Sequence, residues 1–106
     1  MKNELLIKID MLEIRPNCEN CGKDLPNGST EAMICTIECT FCYDCVENVL
    51  HNVCPNCGGG FEKRPIRPKQ YTLKYPPKVE RYFAPVNMTE FQPLLIRNKD
   101  IEPGKR

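Results

Sequence analysis

The sequence has no tryptophan, one histidine and one serine among its 106 residues. The lone Ser29 sits in Pro26-Asn27-Gly28-Ser29, a loop tip, and nothing pairs it with His51 as a nucleophile and base. Carboxylates such as Glu38 and Asp44 read as a solvated face. Catalytic zinc draws mostly on histidine and carboxylate ligands and keeps one position open, whereas four thiolates close a site. No enzyme is expected. No apolar run is long enough to span a bilayer, so no membrane association is expected either. The opening MKNELLIKIDMLEIR carries Glu4, Asp10 and Glu13 within its apolar run, with no small-residue cleavage site after it. The expected compartment is therefore the reducing cytoplasm, where clustered Cys-x2-Cys pairs read as metal ligands rather than disulfides.

What is abundant is cysteine. Cys18, Cys21, Cys35, Cys39, Cys42, Cys45, Cys54 and Cys57 all fall within forty residues. A segment this short buries too little apolar surface to offset its chain entropy and needs a staple. Proline is also plentiful, and seven of the ten lie beyond residue 60. Net charge is +1, unevenly spread: residues 1–60 hold four Lys/Arg against nine Asp/Glu, residues 61–106 eleven against five. Thiolates make the first part more negative still, so its surface is a poor match for phosphate.

Three parts follow. Residues 1–10 are an N-terminal extension with a possible strand at Leu5, Ile7 and Ile9, and Met11 is a plausible alternative start. Residues 11–68 form the cysteine module. Within it Met33 to Phe41 suits a hairpin turning near Thr36–Glu38. From Cys42, Val46, Val49, Leu50 and Val53 recur at i, i+3, i+4 and i+7, the period of a helix, which Cys54-Pro55 ends. Residues 69–106 are a Pro-rich basic tail, extended or partly docked. Its prolines argue against a long helix, and Tyr71, Leu73 and Tyr75 alternate like a short strand. Tyr82-Phe83, Phe91 and Leu94-Leu95-Ile96 are its apolar knots.

Two cysteines separated by two residues grip one metal through a tight turn, and zinc takes four sulfurs in a tetrahedron. Cys18-Glu-Asn-Cys21-Gly and Cys54-Pro-Asn-Cys57-Gly read as such knuckles, each glycine permitting a positive φ. Cys42 and Cys45 open the helix, where unpaired amides favour thiolates. The expected allocation puts Cys18, Cys21, Cys42 and Cys45 on one Zn²⁺ and Cys35, Cys39, Cys54 and Cys57 on a second, an interleaved cross-brace. Sequential pairing, Cys18 through Cys39 on one metal and Cys42 through Cys57 on the other, also satisfies the spacing. The cross-brace is favoured because it covers the apolar helix face better. Four-thiolate sites suit iron as well as zinc. A thioredoxin-like role for Cys42 and Cys45 lacks the surrounding βαβ pattern.

The order Cys-x2-Cys, Cys-x3-Cys-x2-Cys-x2-Cys, Cys-Pro-x-Cys resembles the RING finger superfamily, with Cys39 where a histidine is usual. Met11-Leu-Glu-Ile-Arg-Pro-Asn-Cys18, Asp24-Leu-Pro, Cys35-x3-Cys39-Thr-Phe-Cys42, Cys54-Pro-Asn-Cys57-Gly-Gly and Arg64-Pro-Ile-Arg-Pro68 together resemble a family of small bacterial cysteine-rich proteins, domain of unknown function 1272. The resemblance implies a zinc-bound RING-like fold and brings no established activity. Ubiquitin-ligase recruitment usually needs an aliphatic residue between the first two cysteines, a tryptophan near the helix and an arginine after the last cysteine. Here stand Glu19 and Asn20, no tryptophan, and Gly58-Gly59-Gly60; only Pro55 matches.

The fold expected is thus a small zinc-stapled α+β module, a RING-like treble clef with cross-brace and an extended Pro-rich tail. Its expected role is structural zinc binding with an unidentified protein partner. Two alternatives remain open. One is a ligase-like recruiter. The other is nucleic-acid binding through Lys63, Arg64, Arg67, Lys69, Lys74, Lys78 and Arg81, interleaved with Tyr71, Tyr75 and Tyr82.

Overall fold

A computed structural model describes residues 11–106; the strand expected at Leu5–Ile9 lies outside them. The first knuckle closes with Cys18 N–H donating to Lys23 O and Gly22 N–H to Cys18 O, at 2.8 and 3.0 Å. Asn17 and Asp24 pair as an isolated antiparallel bridge across it. Gly22 and the corresponding Gly58 of the second knuckle have φ of 81° and 76°, the left-handed region that a glycine enters without cost.

The hairpin forms where it is expected. Strand β1 (Ala32–Ile34) and strand β2 (Thr40–Cys42) are antiparallel, with Met33 opposite Phe41. A third strand, β3 (Glu62–Lys63), pairs with the other side of β1 to give the order β2-β1-β3. The glycine run before β3 hides it in sequence, and two residues are too few for a periodic signal. Phe61 at its start meets Phe41 edge to face, ring centroids 5.5 Å apart.

Helix α1 spans Tyr43–Asn48, shorter than the apolar period to Val53 suggests. Leu50 N–H reaches back to Cys45 O and Asn52 N–H to Val46 O, while His51 and Asn52 turn left-handed with φ of 49° and 59°. Asparagine tolerates that conformation better than most residues, and Asn52 Oδ1 accepts the Phe61 N–H at 2.9 Å. Val46, Leu50 and Val53 are all fully buried, so the hydrophobic period reports burial correctly and helix length incorrectly.

The tail differs most from expectation. Tyr71, Leu73 and Tyr75 do not make a strand: Lys69–Lys74 is a short helix, α2, with no buried side chain. An eleven-residue helix, α3 (Met88–Asn98), forms despite the internal Pro93. Asn87 caps it by accepting the Glu90 N–H at 3.1 Å, and Phe91, Leu95 and Asn98 are buried along one side. An internal proline costs about 3 kcal/mol. Burying Phe91 and Leu95 is worth about 1.5–3 kcal/mol each, so docking offsets the proline. A single 3-10 turn, Pro103–Lys105, follows. Phe91 and Leu95 join one core with Leu25, Phe41, Val46, Leu50, Val53, Phe61 and six of the cysteines.

Candidate metal centres

The fold brings the cysteines together in two interleaved groups. The Sγ atoms of Cys18, Cys21, Cys42 and Cys45 all lie within 4.8 Å of one another. Two of the separations are 3.8 Å (Cys18–Cys45) and 3.7 Å (Cys21–Cys42). Four sulfurs held about 2.3 Å from one ion at tetrahedral angles would stand about 3.8 Å apart, so this set fits a metal of zinc's size. The sequence elements explain the convergence: the knuckle offers Cys18 and Cys21, Cys42 is the cap of α1, and Cys45 lies one turn further on.

The second group is Cys35, Cys39 and Cys54, again within 4.8 Å. Cys35 and Cys39 flank the hairpin turn, closed by Cys35 N–H to Cys39 O at 3.1 Å. Cys57, expected as the fourth member, is not within that distance of all three. It is exposed and accepts from the Thr36 hydroxyl at 3.2 Å and the Gly59 N–H at 3.4 Å. None of the eight cysteines forms a disulfide. His51 is exposed at the left-handed turn and belongs to neither group.

The sulfurs sit in a ring of donors. Ile37 and Cys39 amides point at Cys35 Sγ, the Asn56 amide at Cys54 Sγ and the Cys21 amide at Cys18 Sγ, at 3.2 to 3.5 Å. Two side-chain donors were not apparent from cysteine spacing. Asn20 Nδ2 reaches Cys45 Sγ at 3.3 Å and Asn56 Nδ2 reaches Cys39 Sγ at 3.2 Å. Each asparagine stands just before the second cysteine of its knuckle and crosses to the partner pair. The shared pattern Cys-x-Asn-Cys-Gly is the signal that could have found them.

Thiol acidity is set by burial against these donors. Cys39 is drawn down to about 6, first by the hydrogen bond from Cys54 and then by Asn56, against burial. Cys54, the donor in that contact, is pushed far up. Burial raises Cys35 to about 11. Burial also raises Cys42 and Cys45, and at Cys42 it outweighs the helix-start amide of Cys45, which acts downward. At Cys21 burial acts upward, but the Lys23 amide and neighbouring thiols outweigh it and the net shift is downward.

Two charged residues tie the sites to the fold. Glu19 is buried, and its Oε2 accepts from Thr40 N–H at 2.8 Å and Arg15 Nη1 at 2.9 Å. It joins the first knuckle to β2. Arg64 is also buried and donates to the carbonyls of Arg15, Leu25 and Pro26 at 2.8 to 3.0 Å. Burial pushes its guanidinium pKa down. Of the basic stretch, Arg67 donates to Leu12 O and Tyr75 O, and Arg81 to Asp24 and Gly22 O. Among the described residues no helix is long and apolar enough to cross a membrane.

Comparison with known proteins agrees with the resemblance. The family model described as "Protein of unknown function (DUF1272)" matches residues 11–67. An uncharacterized protein of Rhizobium meliloti (strain 1021) is 53% identical over 75 residues, covering 71% of this chain and 89% of that protein. No solved structure matches significantly. The chain, with its two interleaved cysteine groups, belongs to the DUF1272 family of proteins of unknown function.

Proposed function

We propose that this chain is a non-enzymatic structural zinc module, cross-braced in the RING-like manner, that serves as a scaffold for protein contact. The observation carrying the reading is the interleaving: the first and third cysteine pairs converge at tetrahedral spacing, and the second pair converges with the fourth through Cys54. Four thiolates close a site to water and substrate, which suits a structural ion rather than a Lewis acid. Zinc would be held by Cys18, Cys21, Cys42 and Cys45, and by Cys35, Cys39, Cys54 and Cys57. Knuckle, hairpin and helix follow in treble-clef order. Exposed Ile66, Tyr71, Leu73 and Val79, within α2 or flanking it in sequence, supply apolar surface of the kind protein partners cover.

The two alternatives lose ground for specific reasons. A recruiter would dock near Glu19, Asn20 and Pro55. There Ala84 N–H donates to Glu19 O and Val86 N–H to Asn20 Oδ1, both at 2.8 Å, so the tail already occupies that face. Of the basic stretch that nucleic-acid binding would draw on, Arg64, Arg67 and Arg81 are committed to protein acceptors, which leaves the lysines alone for phosphate. Native mass spectrometry before and after acid and chelator tests the main reading. Two zinc ions lost together with the folded state are expected; a folded protein that carries none would refute it.

A further inference from the structure

The tail holds the two knuckles with different segments. Residues 81–86 hold the first. Tyr82 exchanges bonds with the Asn17 side chain, its O accepting from Nδ2 at 2.9 Å and its N–H donating to Oδ1 at 3.3 Å. Ala84 and Val86 continue the strap onto Glu19 and Asn20. Residues 94–106 hold the second, and they converge on one atom. Gly58 O, the carbonyl directly after Cys57, accepts from Arg106 Nη1 at 3.0 Å and Asn98 Nδ2 at 3.5 Å. The same Nη1 donates to Asn52 O at 2.8 Å, and Nε to Ile101 O at 2.8 Å. One guanidinium thus ties the last turn to both chain segments that frame the knuckle.

Packing closes the same place. A methyl at Gly60 would stand 2.8 Å from Pro103 Cγ and one at Gly58 3.0 Å from Asn98 Nδ2. The backbone after Cys57 and the C-terminal turn are therefore in direct contact. This contact matters most for Cys57, the exposed sulfur outside the tight group of three. Its approach to Cys54, Cys39 and Cys35 depends on how firmly the turn Cys54–Gly58 is shut. That turn's own bonds are Gly58 N–H to Cys54 O and Cys54 N–H to Gly59 O, both at 2.8 Å.

We propose that Arg106 and Asn98 are positioning residues that clamp the second knuckle, so that metal retention at Cys35, Cys39, Cys54 and Cys57 is set by residues 94–106 independently of the first site. The inference rests on the two-zinc reading. The test loads the full chain with zinc, wild type and Arg106→Ala, and follows transfer to a chelating dye. Loss from each site is assigned by the amide signals of Cys18–Lys23 and Cys54–Gly59. Arg106→Ala and Arg106→Ala/Asn98→Ala are expected to release the second-site zinc about tenfold faster or more, as loss of outer-shell partners does elsewhere. The first-site rate should stay unchanged. Arg81→Ala, on the other strap, should leave the second site untouched.

Equal rates in wild type and variants, or equal acceleration at both sites, would overturn the clamp while leaving the two-zinc reading intact. If the wild type takes up fewer than two zinc ions, that reading fails. The clamp is then judged on hydrogen exchange at the Gly58 and Gly59 amides, and unchanged exchange in Arg106→Ala overturns it.

Discussion

Cys18–Gly22 and Cys54–Gly58 are folded by the same pair of hydrogen bonds. In each, the first cysteine amide donates five residues ahead and the glycine amide donates back to the first cysteine. In each the first cysteine is buried, the second exposed, and the asparagine between them reaches a sulfur of the partner pair. Yet the first knuckle meets both partners and the second meets them with only one of its sulfurs. The difference lies in the partners. Cys42 and Cys45 stand on the cap and first turn of a helix, three residues apart and fixed in relation to each other. Cys35 and Cys39 flank a hairpin turn in which Glu38 sits at φ 67°, and Thr36 of that turn offers Cys57 a hydroxyl instead of a place among the sulfurs. Knuckle sequence sets the turn; the partner element sets convergence.

The largest effects should come from buried ligands. A structural zinc contributes about 10–16 kcal/mol in small zinc domains, more than this chain could lose and stay folded. Cys18→Ser and Cys54→Ser are each expected to abolish one zinc and the dispersed amide spectrum of the folded state. Cys57→Ser should be milder, keeping the fold and weakening only the second site. If Cys57→Ser proves as damaging as Cys54→Ser, the asymmetry between the sites disappears.

Arg64 sharpens the comparison from the first site's side. Arg64→Ala would strand the Arg15 and Leu25 carbonyls, at about 1–3 kcal/mol for each buried acceptor left without a donor, while Pro26 O keeps the Ser29 N–H at 2.8 Å. A loss of at least about 2 kcal/mol is expected in denaturant unfolding of the zinc-loaded protein. Arg64→Lys, with one ammonium for three diverging carbonyls, should recover little. Recovery of full stability by lysine would show that charge rather than the fork holds the loop.

These positions also show how far the sequence could be read. The cysteine knuckles, the hairpin and the start of α1 were legible because spacing and glycine placement encode them locally. Helix length was not, since Val53 is buried through the left-handed pair His51-Asn52 rather than through another helical turn. The helix in the tail was masked by Pro93, although Asn87-Met-Thr-Glu90 carries an N-cap signal and Phe91, Leu95 and Asn98 lie on one side. Arg64 and Arg67 read as surface charge because their acceptors are backbone carbonyls, which no sequence displays. Glu19 reads in sequence only as a residue unfit for recruitment, because its buried bond to the Thr40 amide is a tertiary contact.

Smaller effects should separate the two asparagines. Asn20→Ala removes a donor to Cys45 and the acceptor of Val86 N–H; Asn56→Ala removes the donor to Cys39 and its backbone N–H bond stays. With about 0.5–1.5 kcal/mol per bond, rising when the partner is charged, Asn20→Ala should be the more costly in zinc-competition titrations. The reverse order would mean that the strap at Val86 contributes nothing. Smallest of all should be Thr36→Val, which removes one exposed hydroxyl from Cys57 and should shift unfolding by less than about 1 kcal/mol.

The interleaved allocation is the claim on which the rest depends, and cadmium-113 substitution tests it most directly. Each cadmium ion couples through its bonds to the Hβ protons of the cysteines that hold it. One ion is expected to couple to Cys18, Cys21, Cys42 and Cys45, and the other to Cys35, Cys39, Cys54 and Cys57. A single ion coupled to both Cys21 and Cys35 would contradict the cross-brace and establish sequential pairing in its place.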